Sequence, residues 1–121
     1  MQREDHAMPK AVEDCHELLG WMILQLDQFP RSRRFTLGER IESGLLFVLE
    51  RLIEAAYLKQ REDVLKSANL RLDVVRHLWR LSYSVKAISV KAYGQGSERM
   101  LGLGRQIGGW RRASSAGQPQ S

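Results

Sequence analysis

The chain has 121 residues, enough for one domain with its own core and too few for two comfortable ones. Apolar residues make up 43% and charged residues 27%, which excludes a disordered chain, and the lone cysteine, Cys15, excludes an intrachain disulfide framework. The net charge of +5 is uneven: residues 1–60 carry 8 Lys and Arg against 10 Asp and Glu, whereas residues 61–121 carry 11 against 4. Such asymmetry fits either a basic surface facing an anionic partner, most often nucleic acid, or a soluble protein that is merely basic.

The first segment, residues 1–8, is polar and of mixed charge and reads as a disordered N-terminus without the apolar run of a signal peptide. No apolar stretch approaches the roughly 20 residues needed to span a bilayer. The expectation is a soluble, cytoplasmic protein whose residues 9–112 form one four-helix bundle. Sustained apolar–polar alternation and Asn-Gly or Asp-Gly turns are both absent, so no strands are expected.

The first helix is predicted from Pro9 to Gln28, with Val12, Cys15, Leu19, Met22 and Leu26 on its apolar face and Phe29-Pro30 as its stop. A basic loop with Arg31, Arg33 and Arg34 follows. Thr36-Leu37-Gly38-Glu39 matches a capping box, in which the Thr36 hydroxyl accepts from the Glu39 N–H. The second helix then runs to about Lys59, burying Ile41, Leu45, Val48, Leu52 and Ala55. A short break near Gln60-Arg61 leads to a third helix over Glu62–Ser84. Ser89 is the N-cap of a fourth helix that ends near Arg112 and buries Met100, Leu103, Ile107 and Trp110. Its glycines, Gly94, Gly96, Gly102 and Gly104, each cost up to about 1 kcal/mol of helix propensity. Residues 113–121 read as a disordered tail. Four helices with short links imply an all-α, up-down-up-down antiparallel bundle.

The third helix carries two apolar stripes. Ala68, Leu72, Val75 and Trp79 face the core, while Leu70, Val74, Leu78 and Leu81 lie on nearly the opposite side. One stripe suffices for a lone bundle, so the second fits a surface covered by another subunit, or a helix buried unusually deeply. Between the stripes lie Asn69, Arg76 and Arg80, with Asp73 beside them. Arg76 and Arg80 are four apart and share a face, where they act either as a phosphate clamp or as ordinary solvated arginines paired with Asp73.

Motifs for chemistry are sparse. Glu13 and His16 make one Glu-x-x-His pair, but a di-iron bundle needs two, and neither His6 nor His77 has a Glu three residues earlier. Cys15 lies on an apolar face without an obvious base. Gly104 and Gly108 form a Gly-x-x-x-Gly that would permit close helix packing or simply tolerate a crowded neighbour. No metal, cofactor or catalytic residue is expected, and the protein reads as a non-enzyme.

Four segments carry a resemblance. Phe29-Pro30-Arg31 with Arg34-Phe35-Thr36-Leu37-Gly38 and Arg40-Ile41-Glu42 is the first. The others are Leu70 to Arg76 with Leu78-Trp79-Arg80-Leu81, then Lys91-Ala92-Tyr93, and finally Arg105-Gln106-Ile107-Gly108-Gly109-Trp110. In this order they resemble the accessory variability determinant (Avd) family of diversity-generating retroelements, over roughly residues 12–112. That family is similar in turn to four-helix bundles encoded in ribosomal-RNA intervening sequences. The resemblance implies a ring-shaped homo-oligomer, a pentamer, in a bacterial or phage-encoded system. It further implies RNA and DNA binding without sequence preference, and association with a reverse transcriptase during mutagenic cDNA synthesis. Arg76 and Arg80 fall where the family places basic residues important for binding. Lys86, Arg105, Arg111 and Arg112 are further candidates, and Leu70, Val74 and Leu81 are the candidate oligomer interface. Few exposed aromatics are expected, which favours phosphate contacts over base stacking. The alternative reading is a structural bundle of the intervening-sequence type with a protein partner.

Overall fold

A computed structural model describes residues 8–116. Helix α1 spans Lys10–Leu26, a single helical turn α2 spans Arg31–Arg33, a π-helical turn spans Arg34–Gly38, and α3 (Glu39–Tyr57), α4 (Glu62–Ser84) and α5 (Val90–Ala116) follow. No strand occurs among the described residues. The four long helices form a bundle in which α3 packs on α1 and α4, and α5 packs on α4 and α1. Each neighbour runs antiparallel to the next. Arg111 near the end of α5 reaches Glu62 at the start of α4, and Arg99 early in α5 lies over Trp21 late in α1.

The core is the one the periodicity predicts. Val12, Cys15, Leu19, Met22 and Leu26 of α1 are buried, as are Ile41, Leu45, Val48, Leu52 and Ala55 of α3. Ala68, Leu72, Val75 and Trp79 of α4, and Met100, Leu103 and Ile107 of α5, complete it, with Trp110 half-buried at its edge. Each fully buried aliphatic side chain contributes about 1.5–3 kcal/mol relative to exposure. The Met8 side chain, expected in a disordered segment, packs against this core. The rest of that segment, residues 1–7, and residues 117–121 of the expected tail lie outside the described residues. Helix α5 continues to Ala116, four residues past its expected end near Arg112.

The basic loop is the main correction. Pro30 takes an extended conformation (φ −55°, ψ 143°) and the chain turns helical at Arg31, so Arg31, Arg33 and Arg34 are on helical turns, not in a loop. Thr36 is therefore mid-helix, and its capping box does not form. Its hydroxyl donates to the Arg33 carbonyl at 3.3 Å, and the Glu39 N–H donates to the Thr36 carbonyl. Half-buried Arg34 bridges the two ends of the turn, with Asp27 at 3.5 Å and Glu42 at 3.7 Å. By contrast Ser89 does cap α5, accepting from the Ala92 N–H at 3.0 Å.

Two glycines set the helix spacing. A Cβ on Gly44 would overlap Val75 Cγ2 across the α3–α4 seam, and one on Gly96 would fall 2.5 Å from Trp79 Nε1 across the α4–α5 seam. Trp79 is fully buried and donates from Nε1 to the Tyr93 carbonyl at 3.1 Å. Its indole lies edge-on to Trp21 and stacks near Phe29. Gly96 is thus required by a close approach, whereas Gly94 meets nothing within 4 Å. The Gly104–Gly108 pair is not a close-packing motif. Gly104 would make only an ordinary 3.8 Å contact with Leu72, and Gly108 would meet only Arg112 of its own helix.

Candidate functional site

Helix α4 presents its polar strip along the seam with α5. Asp73, Arg76, His77 and Arg80 from α4, with Tyr93 and Ser97 from α5, line an open hollow of about 260 Å³. A second hollow of about 220 Å³ adjoins it, lined by Asn69, Asp73 and Arg76 opposite Gly104. Arg76 and Arg80 are exposed, one helical turn apart, so their guanidinium groups serve the same wall. Arg76 Nη1 lies 3.4 Å from Asp73 Oδ1, a long and solvent-exposed pairing, worth little in water. Both arginines line the hollow. Arginine's planar fork suits a phosphate bidentately, and two such forks in one row suit a polyanion.

The other candidate cations scatter. Arg105 and Arg112 are exposed on α5 and do not line the hollow. Arg111 donates to Glu62 Oε2 at 2.6 Å, which holds the Glu62 carboxyl below the usual carboxylate range and raises the Arg111 guanidinium. Arg111 is thereby committed to tying α5 to α4. Lys86 is exposed in the α4–α5 turn with φ of 65°. It holds the left-handed position of a Schellman ending, where the Lys86 N–H donates to the Tyr83 carbonyl and the Ala87 N–H to the Ser82 carbonyl. Glycine is the usual occupant of such a position.

The second stripe of α4 is open to water at three of its four residues. Leu70 is 66% exposed, Leu81 45% and Val74 36%. Leu78 departs from the expected outward stripe: it is half-buried and packs against the core, because the Gly44 contact draws α3 close on that side. Val74 and Leu78 continue into a groove of about 440 Å³ between α3 and α4, lined also by Ser43, Gly44, Phe47 and Arg71. There the Phe47 ring lies between the Arg51 and Arg71 guanidinium groups, at 5.0 and 5.5 Å.

Sequence reasoning missed the aromatic neighbours of the strip. Tyr83, near the end of α4, stacks on Tyr93 of α5 with ring centres 4.8 Å apart and planes 11° from parallel. Phe35, Tyr57 and Tyr83 are exposed, and of these Tyr83 lies beside the strip. The two tyrosines lie ten positions apart across a turn, and helical periodicity within either helix gives no sign of their meeting.

Burial pushes the Cys15 thiol up to about 12, which keeps it protonated and unreactive. Glu13 and His16 are exposed on α1, and no cluster of three or more His, Cys, Asp or Glu suited to a metal occurs among the described residues. No helix there is long and apolar enough to cross a membrane.

Comparison with known proteins gives one family: the model of the bAvd-like family matches residues 11–114. No curated protein and no solved structure matches.

Proposed function

The chain belongs to the bAvd-like family, and from that premise we propose that it is an Avd-type, non-catalytic accessory protein that binds nucleic acid through its phosphates. The observation that carries this reading is the placement of Arg76 and Arg80 side by side on the wall of the open α4–α5 hollow. Contacts of this kind fix a strand without reading its sequence. In this role the protein holds template RNA, cDNA or their hybrid and associates with the reverse transcriptase of its retroelement. It acts as a homo-oligomer, a pentameric ring by analogy with the family, assembled through Leu70, Val74 and Leu81. The setting is the cytoplasm of a bacterial host.

A second reading has its own observation. The exposed apolar row Leu70, Val74 and Leu81 fits equally a protein partner other than a second copy. In that case the chain is a structural bundle of the intervening-sequence type.

The test is binding to single-stranded RNA, single-stranded DNA and an RNA–DNA hybrid across a salt series, beside the Arg76→Ala/Arg80→Ala variant. Affinity is expected to fall linearly with salt on log–log axes. Losing two phosphate contacts should make that slope shallower by about 1.4–1.8 and weaken binding about tenfold or more at low salt. Oligomer mass should be the same for both proteins. Complete absence of binding would leave the protein-partner reading in its place.

A further inference from the structure

We propose that the Tyr83–Tyr93 pair is a stacking platform for an unpaired nucleobase, so that the site selects single-stranded nucleic acid over duplex. This rests on the nucleic-acid reading above and adds to it a ligand class that phosphate contacts alone do not define.

The placement is specific. Arg76, Arg80 and Tyr83 follow one another along α4 at spacings of four and three, so they form a continuous row on one side of the helix. Across the seam, Tyr93 and Ser97 of α5 are again four apart, and both line the hollow that Arg76 and Arg80 share. The hollow therefore has two guanidinium groups and the ring of Tyr93 in its lining, and Tyr83 stacks on that ring.

Tyr93 is half-buried and fixed. Its carbonyl accepts from the buried Trp79 indole at 3.1 Å, and its ring packs against the core. Tyr83 rests on that ring, nearly parallel, and keeps 40% of its surface in solvent. A flat aromatic surface backed by a second ring is already desolvated on one side. Ordering it for a base therefore costs less than ordering a free side chain.

Neighbouring charge supports the same ligand. Exposed Lys86 lies three residues beyond Tyr83 in the turn, and exposed Lys91 lies two before Tyr93. Both cations thus lie in the segment that joins the two tyrosines, while Asp73 is the one carboxylate among the residues lining the hollow. In a duplex the bases are stacked on each other and cannot reach such a ring. An unpaired strand presents both phosphates and a free base face, and stacking on aromatic side chains tolerates any base.

The experiment uses the full chain in its purified oligomeric form. The probes are a labelled oligothymidylate, an abasic sugar-phosphate strand of the same length, and a duplex. Wild-type protein is expected to prefer the base-bearing strand over the abasic one by at least about fivefold. That preference should vanish in Tyr83→Ala and survive in Tyr83→Phe and Tyr83→Trp, while duplex binding stays the same in all four proteins. Circular dichroism and melting temperature establish that each variant is folded. Equal affinity of wild type for both single strands would overturn the platform while leaving phosphate binding intact. So would a base preference that persists in folded Tyr83→Ala. If neither strand binds, the nucleic-acid reading falls and the platform with it.

Discussion

On its α3 side, α4 closes tightly at Gly44 and leaves outside a groove of about 440 Å³ in which Phe47, Val74 and Leu78 stand among Glu39, Arg40, Ser43 and Arg71. On its α5 side the same helix shows two smaller hollows that share Asp73 and Arg76; Arg80 and Tyr93 line the first, and Tyr83 stacks on Tyr93. The stripes that set these flanks are separated by less than half a turn of one helix, yet their physics is opposite. The exposed apolar row Leu70, Val74 and Leu81 would be stabilised by excluding water, which is what a packed protein surface supplies. A row of exposed guanidinium groups is best satisfied by a polyanion that releases its counterions on binding. The two flanks meet at Leu70, which stands in the exposed apolar row and also lines the second hollow beside Asp73 and Arg76.

The strongest way to break that division is to charge one flank and watch the other. Leu70→Glu with Val74→Glu places two carboxylates on the apolar row, where they would be desolvated by any partner subunit. Self-association is expected to weaken by about a hundredfold or more, read as a drop in mass by light scattering. The residues substituted are exposed in the protomer, so its melting temperature should barely change. If the mass stays constant, Leu70 and Val74 are not an interface between copies.

A smaller effect is expected from the glycines that set the seams. Gly96→Ala drives a methyl into the buried, hydrogen-bonded Trp79 indole and should cost about 1–3 kcal/mol. Gly44→Ala meets only one methyl of Val75 and should cost less, although that β-branched side chain has little rotamer freedom to yield. Gly94→Ala faces open space and should stabilise α5 by about 1 kcal/mol or less. Urea denaturation of the three variants checks the order. If Gly96→Ala is the mildest of the three, the Trp79 contact does not set the spacing of α4 and α5.

How much of this was legible in the sequence depends on the range of the interaction. Helix α4 has both its predicted bounds, Glu62 and Ser84, and the buried stripe Ala68–Leu72–Val75–Trp79 was readable because burial imposes a 3.6-residue period. The Thr36–Glu39 pattern misled because a capping box is four residues long and looks the same at a helix start and inside a helix. What decided the matter was Pro30, which starts the helical path six residues sooner than the cap would. Arg76 and Arg80 could be placed on one strip since they are helical neighbours. The commitment of Arg111 to Glu62 could not be seen, because those residues are 49 positions apart. The same holds for Tyr83 against Tyr93 and for Gly96 beneath Trp79. Each is a contact between helices, fixed by how the bundle packs and absent from any local pattern.

Lys86 gives the smallest and most discriminating prediction. A non-glycine residue in the left-handed region costs about 1–2 kcal/mol relative to its ordinary conformations, and the Schellman hydrogen bonds around Lys86 need only backbone atoms. Nothing in the turn itself requires a lysine, so the charge is the one property that a glycine would not supply. Lys86→Gly is accordingly expected to raise stability by about 1 kcal/mol. If Lys86 serves the α5 flank, the same variant should lower single-strand affinity two- to threefold at low salt and flatten the salt slope by about 0.7–0.9. Opposite signs in the two measurements would mean that the turn keeps a strained residue for its charge. A gain in stability with unchanged affinity and slope would remove Lys86 from the binding surface and leave Arg76 and Arg80 to define it.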